Sequence, residues 1–161
     1  MTPMEAADAL RERFGEDVLE VAQFRGEVSV VVRRERIIEI ATACRDDLGF
    51  NFLSDLTAVD WLDRRPRFDV VYHLTIVPET IRLRLKVQTN EGEAVPTVTG
   101  VWPASNWAER EVYDLFGIEF EGHPDLRRIM MPAGWIGHPL RKDYRQTQIA
   151  LPRPKTDKVL E

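Results

Sequence analysis

A chain of 161 residues, 43% hydrophobic and 30% charged, has the size and balance of one folded domain with a sizeable core, and excludes a disordered chain. Its net charge of −5 gives no footprint for nucleic acid, and the lone cysteine, Cys44, excludes an internal disulfide or a cysteine-only metal cluster. No apolar run approaches the roughly 20 residues needed to cross a bilayer.

The amino terminus reads as a helix start, and no targeting segment is expected: Thr2 as cap, Pro3 at the first helical position, Glu5 three residues after the cap. Met4, Ala7, Leu10 and Phe14 carry this helix to Gly15, where a left-handed cap suits glycine. Val18–Phe24 and Val28–Val32 read as strands, with Arg25-Gly26-Glu27 turning between them. A second amphipathic helix is predicted from Glu35 to Leu48, with Ile37, Ile40, Ala41, Cys44 and Leu48 as its apolar stripe and Gly49 as its stop. Cys44 on that stripe reads as a small buried apolar residue.

The period then changes to two. Phe52–Val59, Phe68–Ile76 and Ile81–Val87 are predicted strands, connected through Arg64-Arg65-Pro66 and Pro78-Glu79. In the last of them Arg82, Arg84 and Lys86 alternate with aliphatic residues, so one face is basic and the other belongs to the core. His73 falls on a polar strand face and reads as a surface histidine. The fold class expected is α+β: a mainly antiparallel sheet, a meander, with helices packed on one face.

Past Pro96 a third helix is predicted near Trp107–Phe116, with Asn106 and Glu109 as a capping box and Ala108, Val112, Leu115 and Phe116 as its buried stripe. The i,i+4 spacing of Arg110 and Asp114 predicts a local ion pair. Residues 1–121 form the body, and 122–161 an extended partner-binding arm that is not an independent domain. Five of the ten prolines lie in that arm. Residues 122–145 carry five cations and two acids, a net of +3, which leaves −8 on the rest of the chain.

Gly122-His123-Pro124 and Gly137-His138-Pro139 nearly repeat each other. A metal or catalytic role for the two histidines is weighed against each imidazole bonding a neighbouring backbone group, which the spacing favours. Glu109, Glu111 and Asp114 read as structural or interface carboxylates rather than an acid–base pair. Trp102, Trp107 and Trp135 are anchors for a core or an interface. Glycine-rich phosphate loops, nucleophile elbows and paired CxxC motifs do not occur.

Glu109-Arg110-Glu111, Asp114-Leu115-Phe116-Gly117, Gly122-His123-Pro124-Asp125-Leu126-Arg127-Arg128-Ile129 and Gly137-His138-Pro139-Leu140-Arg141-Lys142-Asp143, in this order, closely resemble the signature of the 30 kDa subunit family of proton-translocating NADH:quinone oxidoreductase, respiratory complex I. Leu53-Ser54-Asp55-Leu56-Thr57-Ala58-Val59-Asp60 and Val95-Pro96-Thr97-Val98-Thr99 resemble it too; Arg145 departs from it, where many relatives carry proline. The resemblance implies a non-catalytic scaffold subunit in the peripheral arm, beside the hydrogenase-like large subunit and other peripheral-arm subunits. It implies no catalytic, cofactor or metal residue in this chain, with FMN, iron–sulfur clusters and quinone on other subunits. It also implies a peripheral place on the cytoplasmic side of the bacterial membrane, without direct membrane insertion. The positions it marks as signature and interface are Glu109, Arg110, Glu111, Asp114, His123, Arg127, Arg128, His138, Arg141, Lys142 and Asp143. Since the chain ends at Glu161, the hydrogenase-like large subunit is expected as a separate polypeptide. Reversing charge at Arg127 and Arg141 together is expected to release the chain from its partner and leave its fold intact. The alternatives are the equivalent subunit of an energy-converting hydrogenase or of a ferredoxin- or deazaflavin-dependent dehydrogenase, and a stand-alone metal-dependent enzyme using His123 and His138.

Overall fold

A computed structural model describes residues 1–145. Helix α1 (Pro3–Phe14) opens with the expected reciprocal cap: Glu5 N–H donates to Thr2 Oγ1 at 3.2 Å, and Thr2 N–H donates to Glu5 Oε2 at 2.8 Å. Gly15 follows with φ 54 and ψ −117, outside the left-handed helical basin predicted for it. Strands β1 (Val18–Phe24) and β2 (Glu27–Val32) form a hairpin whose turn has only two residues, Arg25 and Gly26. Both have positive φ (51 and 85), the turn hand that matches strand twist, and Glu27 joins the strand.

Helix α2 is Ile37–Asp46, shorter than predicted, because Arg34–Arg36 forms a 3-10 turn. Cys44 lies wholly inside, where desolvation pushes its thiol up to about 12. The rest of the large sheet comes from β3 (Phe52–Asp60), β4 (Phe68–Ile76) and β5 (Ile81–Thr89).

The strand order is β1-β2-β5-β4-β3. Every neighbouring pair is antiparallel except β2 with β5, so the sheet is mixed and mainly antiparallel. Only β3–β4–β5 form the expected meander. The β1–β2 hairpin joins it beside β5, reached through the long crossover that a parallel pairing requires. Cross-strand rows such as Val30, Leu85, Tyr72, Leu56 and Val32, Val87, Val70, Ala58 supply one apolar face. Residues of α1, α2 and the later helix α3 (Ser105–Phe116) pack against it, as the α+β reading requires. The opposite face carries Arg82, Arg84 and Lys86, with Arg84 bonded to Ser29 Oγ at 3.3 Å. There, burial and then cationic neighbours, Arg84 foremost, lower the pKa of a half-buried His73.

Two short parallel strands, β6 (Val95–Pro96) and β7 (Phe120–Glu121), bring Thr97 and Val98 close to α3. The predicted capping box on α3 is not formed. Ala104 stands at the cap with no side-chain bond, Asn106 lies inside the first turn, and Glu109 points into the core. Gly117, at φ 73, ends the helix in the left-handed conformation.

A candidate partner interface held by buried carboxylates

Asp114 is the anchor of the segment that follows α3. Its side chain is wholly enclosed, and Oδ2 accepts the successive N–H groups of Ile129 (3.0 Å), Met130 (2.8 Å) and Met131 (2.8 Å). Oδ1 accepts Arg128 Nη1 at 2.6 Å. Burial opposes the charge, yet these donors outweigh it and hold the carboxyl below the usual carboxylate range. The backbone carbonyl of the same residue accepts His138 Nδ1 at 2.9 Å, and Arg128 Nη2 donates to Gly137 O at 2.9 Å. One helical turn thus collects both ends of the 128–138 segment.

A second anchor lies at the end of β3. Arg67 donates to Asp60 through Nε (2.9 Å) and Nη2 (2.8 Å), and its Nη2 also reaches Asp143 at 2.8 Å. Asp60 further accepts the N–H groups of Leu62 and Lys142, each at 2.9 Å. The Arg67 guanidinium is the main cause that depresses the pKa of both Asp60 and Asp143. Nearby, Arg141 donates to Phe116 O and Glu91, and both guanidiniums stack on the Phe68 ring, at 4.9 Å for Arg67 and 5.6 Å for Arg141.

Gly117 is where this segment meets the helix end. A Cβ there would lie 2.5 Å from His138 Cδ2 and 2.6 Å from Arg141 Nη2, on a backbone with φ +73. Gly117→Ala is therefore expected to destabilise the chain by more than about 1 kcal/mol. It should also expose residues 122–145 to limited proteolysis. Cleavage there at the wild-type rate would contradict the contact.

Glu109 is a carboxylate of a different kind. It is wholly buried, with Oε1 accepting Val98 N–H at 2.8 Å and Oε2 accepting the Thr97 hydroxyl. Desolvation raises its pKa, and the hydrogen bonds from Thr97 and Val98, with His123 at 3.9 Å, offset only part of that. His123 Nε2 donates to Asn106 O at 3.0 Å, and Nδ1 accepts Asp125 N–H at 3.0 Å, so both ring nitrogens are engaged by backbone groups. The Tyr72 hydroxyl, also enclosed, is held well above its ordinary pKa by burial and by the Glu109 charge.

The predicted positions thus divide. Asp114, Arg128, His138, Arg141 and Asp143 tie residues 122–145 to the body, and Glu109 and His123 secure the start of that segment. The expected Arg110–Asp114 pair does not form, because a buried aspartate with better-placed donors takes Arg128. Arg110 donates instead to the carbonyls of Arg127 (3.1 Å) and Arg128 (3.3 Å). Glu111 and Lys142 are exposed, the latter contributing its N–H to Asp60. The Arg127 side chain is 71% exposed and, among the described residues, bonds only Asp125, whereas Arg141 is 15% exposed. The two are not equivalent, and reversing Arg141 would break a fold contact. His123 and His138 bond separate carbonyls, and among the described residues no group of three or more His, Cys, Asp or Glu side chains could hold a metal. The reading that each imidazole serves a backbone group holds. Sequence reasoning missed Asp60, Arg67, Glu91 and Thr97, the body-side partners of these ties. Of the tryptophans, Trp102 is core, its Nε1 donating to Phe50 O at 3.2 Å, while Trp107 is 70% exposed. Met130 (61%), Ile136 (73%) and Leu140 (52%) face outward from the tied segment. The expectations for residues 146–161 lie outside the described residues.

Residues 30–149 match the family described as Respiratory-chain NADH dehydrogenase, 30 Kd subunit. The chain is 54% identical over 136 residues to the C subunit of the NADH-quinone oxidoreductase of Geotalea uraniireducens (strain Rf4), covering 84% of this chain and 83% of that relative. It is 52% identical over 139 residues to the protein of the same name from Roseiflexus sp. (strain RS-1), covering 84% and 80%. Among solved structures it is similar to a chain in the membrane-bound sulfane sulfur reductase, an archaeal respiratory membrane complex. That match has TM-score 0.69 and 25% identity, and covers 89% of this chain and 85% of the other.

Proposed function

The chain belongs to the 30 kDa subunit family of the respiratory-chain NADH dehydrogenase, and from that membership we propose that it is a non-catalytic scaffold of the peripheral arm. It docks beside the hydrogenase-like large subunit, on the cytoplasmic side of the membrane, in a complex that couples NADH oxidation and quinone reduction to proton translocation. FMN, iron–sulfur clusters and the quinone site belong to other subunits. Among the described residues, no helix is long and apolar enough to cross a membrane, which fits peripheral attachment.

One observation carries this reading. The carboxylates and guanidiniums that look reactive in the sequence spend their hydrogen bonds on fixing residues 122–145, while Trp107, Met130 and Ile136 are turned outward. A surface preorganised in this way binds with little ordering entropy, and exposed aromatic and long apolar side chains are good anchors. Joint replacement Trp107→Ala and Ile136→Ala is expected to leave the melting temperature within a few degrees. Recovery with the hydrogenase-like large subunit from a mild-detergent preparation should fall at least about tenfold. Recovery at the wild-type level would sink the docking surface. The similarity to a chain of a sulfane sulfur reductase favours one second reading, an equivalent scaffold in a related respiratory complex. Identification of the co-purified electron-input subunits separates the two.

A further inference from the structure

We propose that β1 is a strand-addition site, where an extended segment of a neighbouring subunit pairs with its free edge and lengthens the sheet to six strands. This rests on the reading that the chain works inside an assembly. In the two-residue hairpin Phe24 and Glu27 form the hydrogen-bonded pair next to the turn, so Ala22 and Ser29 form the next one. The backbone N–H and C=O groups of Val21 and Gln23 therefore point away from β2. Among the described residues no hydrogen bond reaches them. Of the two edge strands, β3 has α3 beside it, and β1 lies at the other margin of the sheet next to α1.

The edge is protected only near its start, where a register irregularity between Val18 and Glu20 and the Glu20 charge interrupt it; from Val21 to Phe24 it is regular. Val18–Phe24 contains no proline and no lysine or arginine, and Leu19 (50%) and Phe24 (71%) are exposed. An edge of this composition is a template for another strand unless something covers it.

Charge identifies the occupant. Residues 15–24 hold three acids and no cation; Asp17 is paired with Arg33 and Arg36, which leaves Glu16 and Glu20 as the acids of this edge. A second copy paired through β1 would bring two acidic edges together. A foreign strand that places lysine or arginine opposite Glu20 and apolar residues on the other side, beside Val21 and Phe14, fits both faces. Backbone pairing supplies the affinity, and the alternating side chains supply the selectivity.

Amide hydrogen exchange, read on the isolated full-length chain and on the intact complex, tests this. In the isolated chain the Val21 and Gln23 amides should exchange quickly while Ala22 and Phe24 are protected. In the complex, Val21 and Gln23 should slow by roughly a hundredfold or more. Equal exchange in both states overturns the proposal, even if the chain enters the complex normally. Failure to enter any complex overturns the scaffold reading instead. Protection already present in the isolated chain also overturns it: dimeric sedimentation would then assign the edge to a second copy, and monomeric sedimentation to the chain's own tail. As a second arm, Gln23→Pro removes one outward N–H without touching a bond to β2, a place where proline is tolerated. It should reduce retention in the complex roughly tenfold with the hairpin intact, and unchanged retention counts against strand pairing.

Discussion

Replacing Asp114 with asparagine should destabilise the chain by about 3 kcal/mol or more, while exchanging Glu109, on the same helix, for glutamine should be neutral or stabilising. Both side chains are wholly buried, and the difference lies in their partners. Asp114 faces three N–H groups and a guanidinium, all donors. An amide in its place would turn an NH2 toward some of those donors and leave Arg128 without its countercharge. Glu109 faces one N–H and one hydroxyl, and a hydroxyl accepts as readily as it donates. Glutamine there keeps both bonds and removes the cost of a buried charge.

The pH dependence of stability separates the two carboxylates further. The folded pKa of Asp114 is depressed, so its contribution is complete above the usual carboxylate range, about pH 4. It is lost as pH falls through the folded value. The folded pKa of Glu109 is raised, so its contribution is complete below that range and lost as pH rises through the folded value. Urea midpoints measured across pH should therefore flatten on the acid side in Asp114→Asn and on the neutral side in Glu109→Gln. An Asp114→Asn protein as stable as wild type would show that the carboxylate is not what holds the segment.

Local sequence signals mislead at these two residues for a physical reason. Strands β4 and β5 are legible because side-chain alternation is a local signal: the predicted Phe68–Ile76 matches the observed strand, and Ile81–Val87 falls within two residues of it. A buried carboxylate gives no such signal, since charge inside an amphipathic helix ordinarily marks the solvent face. The only clue is spacing. Ser105, Glu109, Val112 and Phe116 recur at helical intervals and are all buried, so Glu109 occupies a core position of the stripe. For Asp114 the local partner Arg110 is available, but Arg128 arrives together with three backbone donors. A nonlocal set of four bonds outweighs an exposed pair worth tenths of a kcal/mol. The parallel pairing of β2 with β5 is equally invisible, because pairing partners so far apart in the chain leave no mark on periodicity. The resemblance picks out the signature residues as a group, but it does not say that most of them bond within this chain.

Arg67→Met should produce the other large loss, about 3–5 kcal/mol, by leaving Asp60 enclosed with no countercharge. Asp60 is 1% exposed, and the guanidinium bonds both of its oxygens while also reaching Asp143. Arg67→Lys should recover only part of this, since a single ammonium cannot bridge two carboxylates through a planar fork. The damage should reach residues 140–145, because Asp60 also holds Lys142 N–H and Arg67 holds Asp143. Without Arg67 the main cause of the depression of both aspartates disappears, so the deficit should be largest near neutral pH and shrink as pH falls through the carboxylate range. A double replacement, Arg67→Met with Asp60→Asn, decides whether the unpaired charge is the cause. It leaves no buried ion at this anchor, so its cost should fall below the sum of the single changes, with a coupling of roughly 1–3 kcal/mol. Strict additivity in denaturant titrations would mean that Arg67 acts through its stacking on Phe68 rather than through Asp60. In that case the anchor would be a packing contact, and its stability would not change with acid.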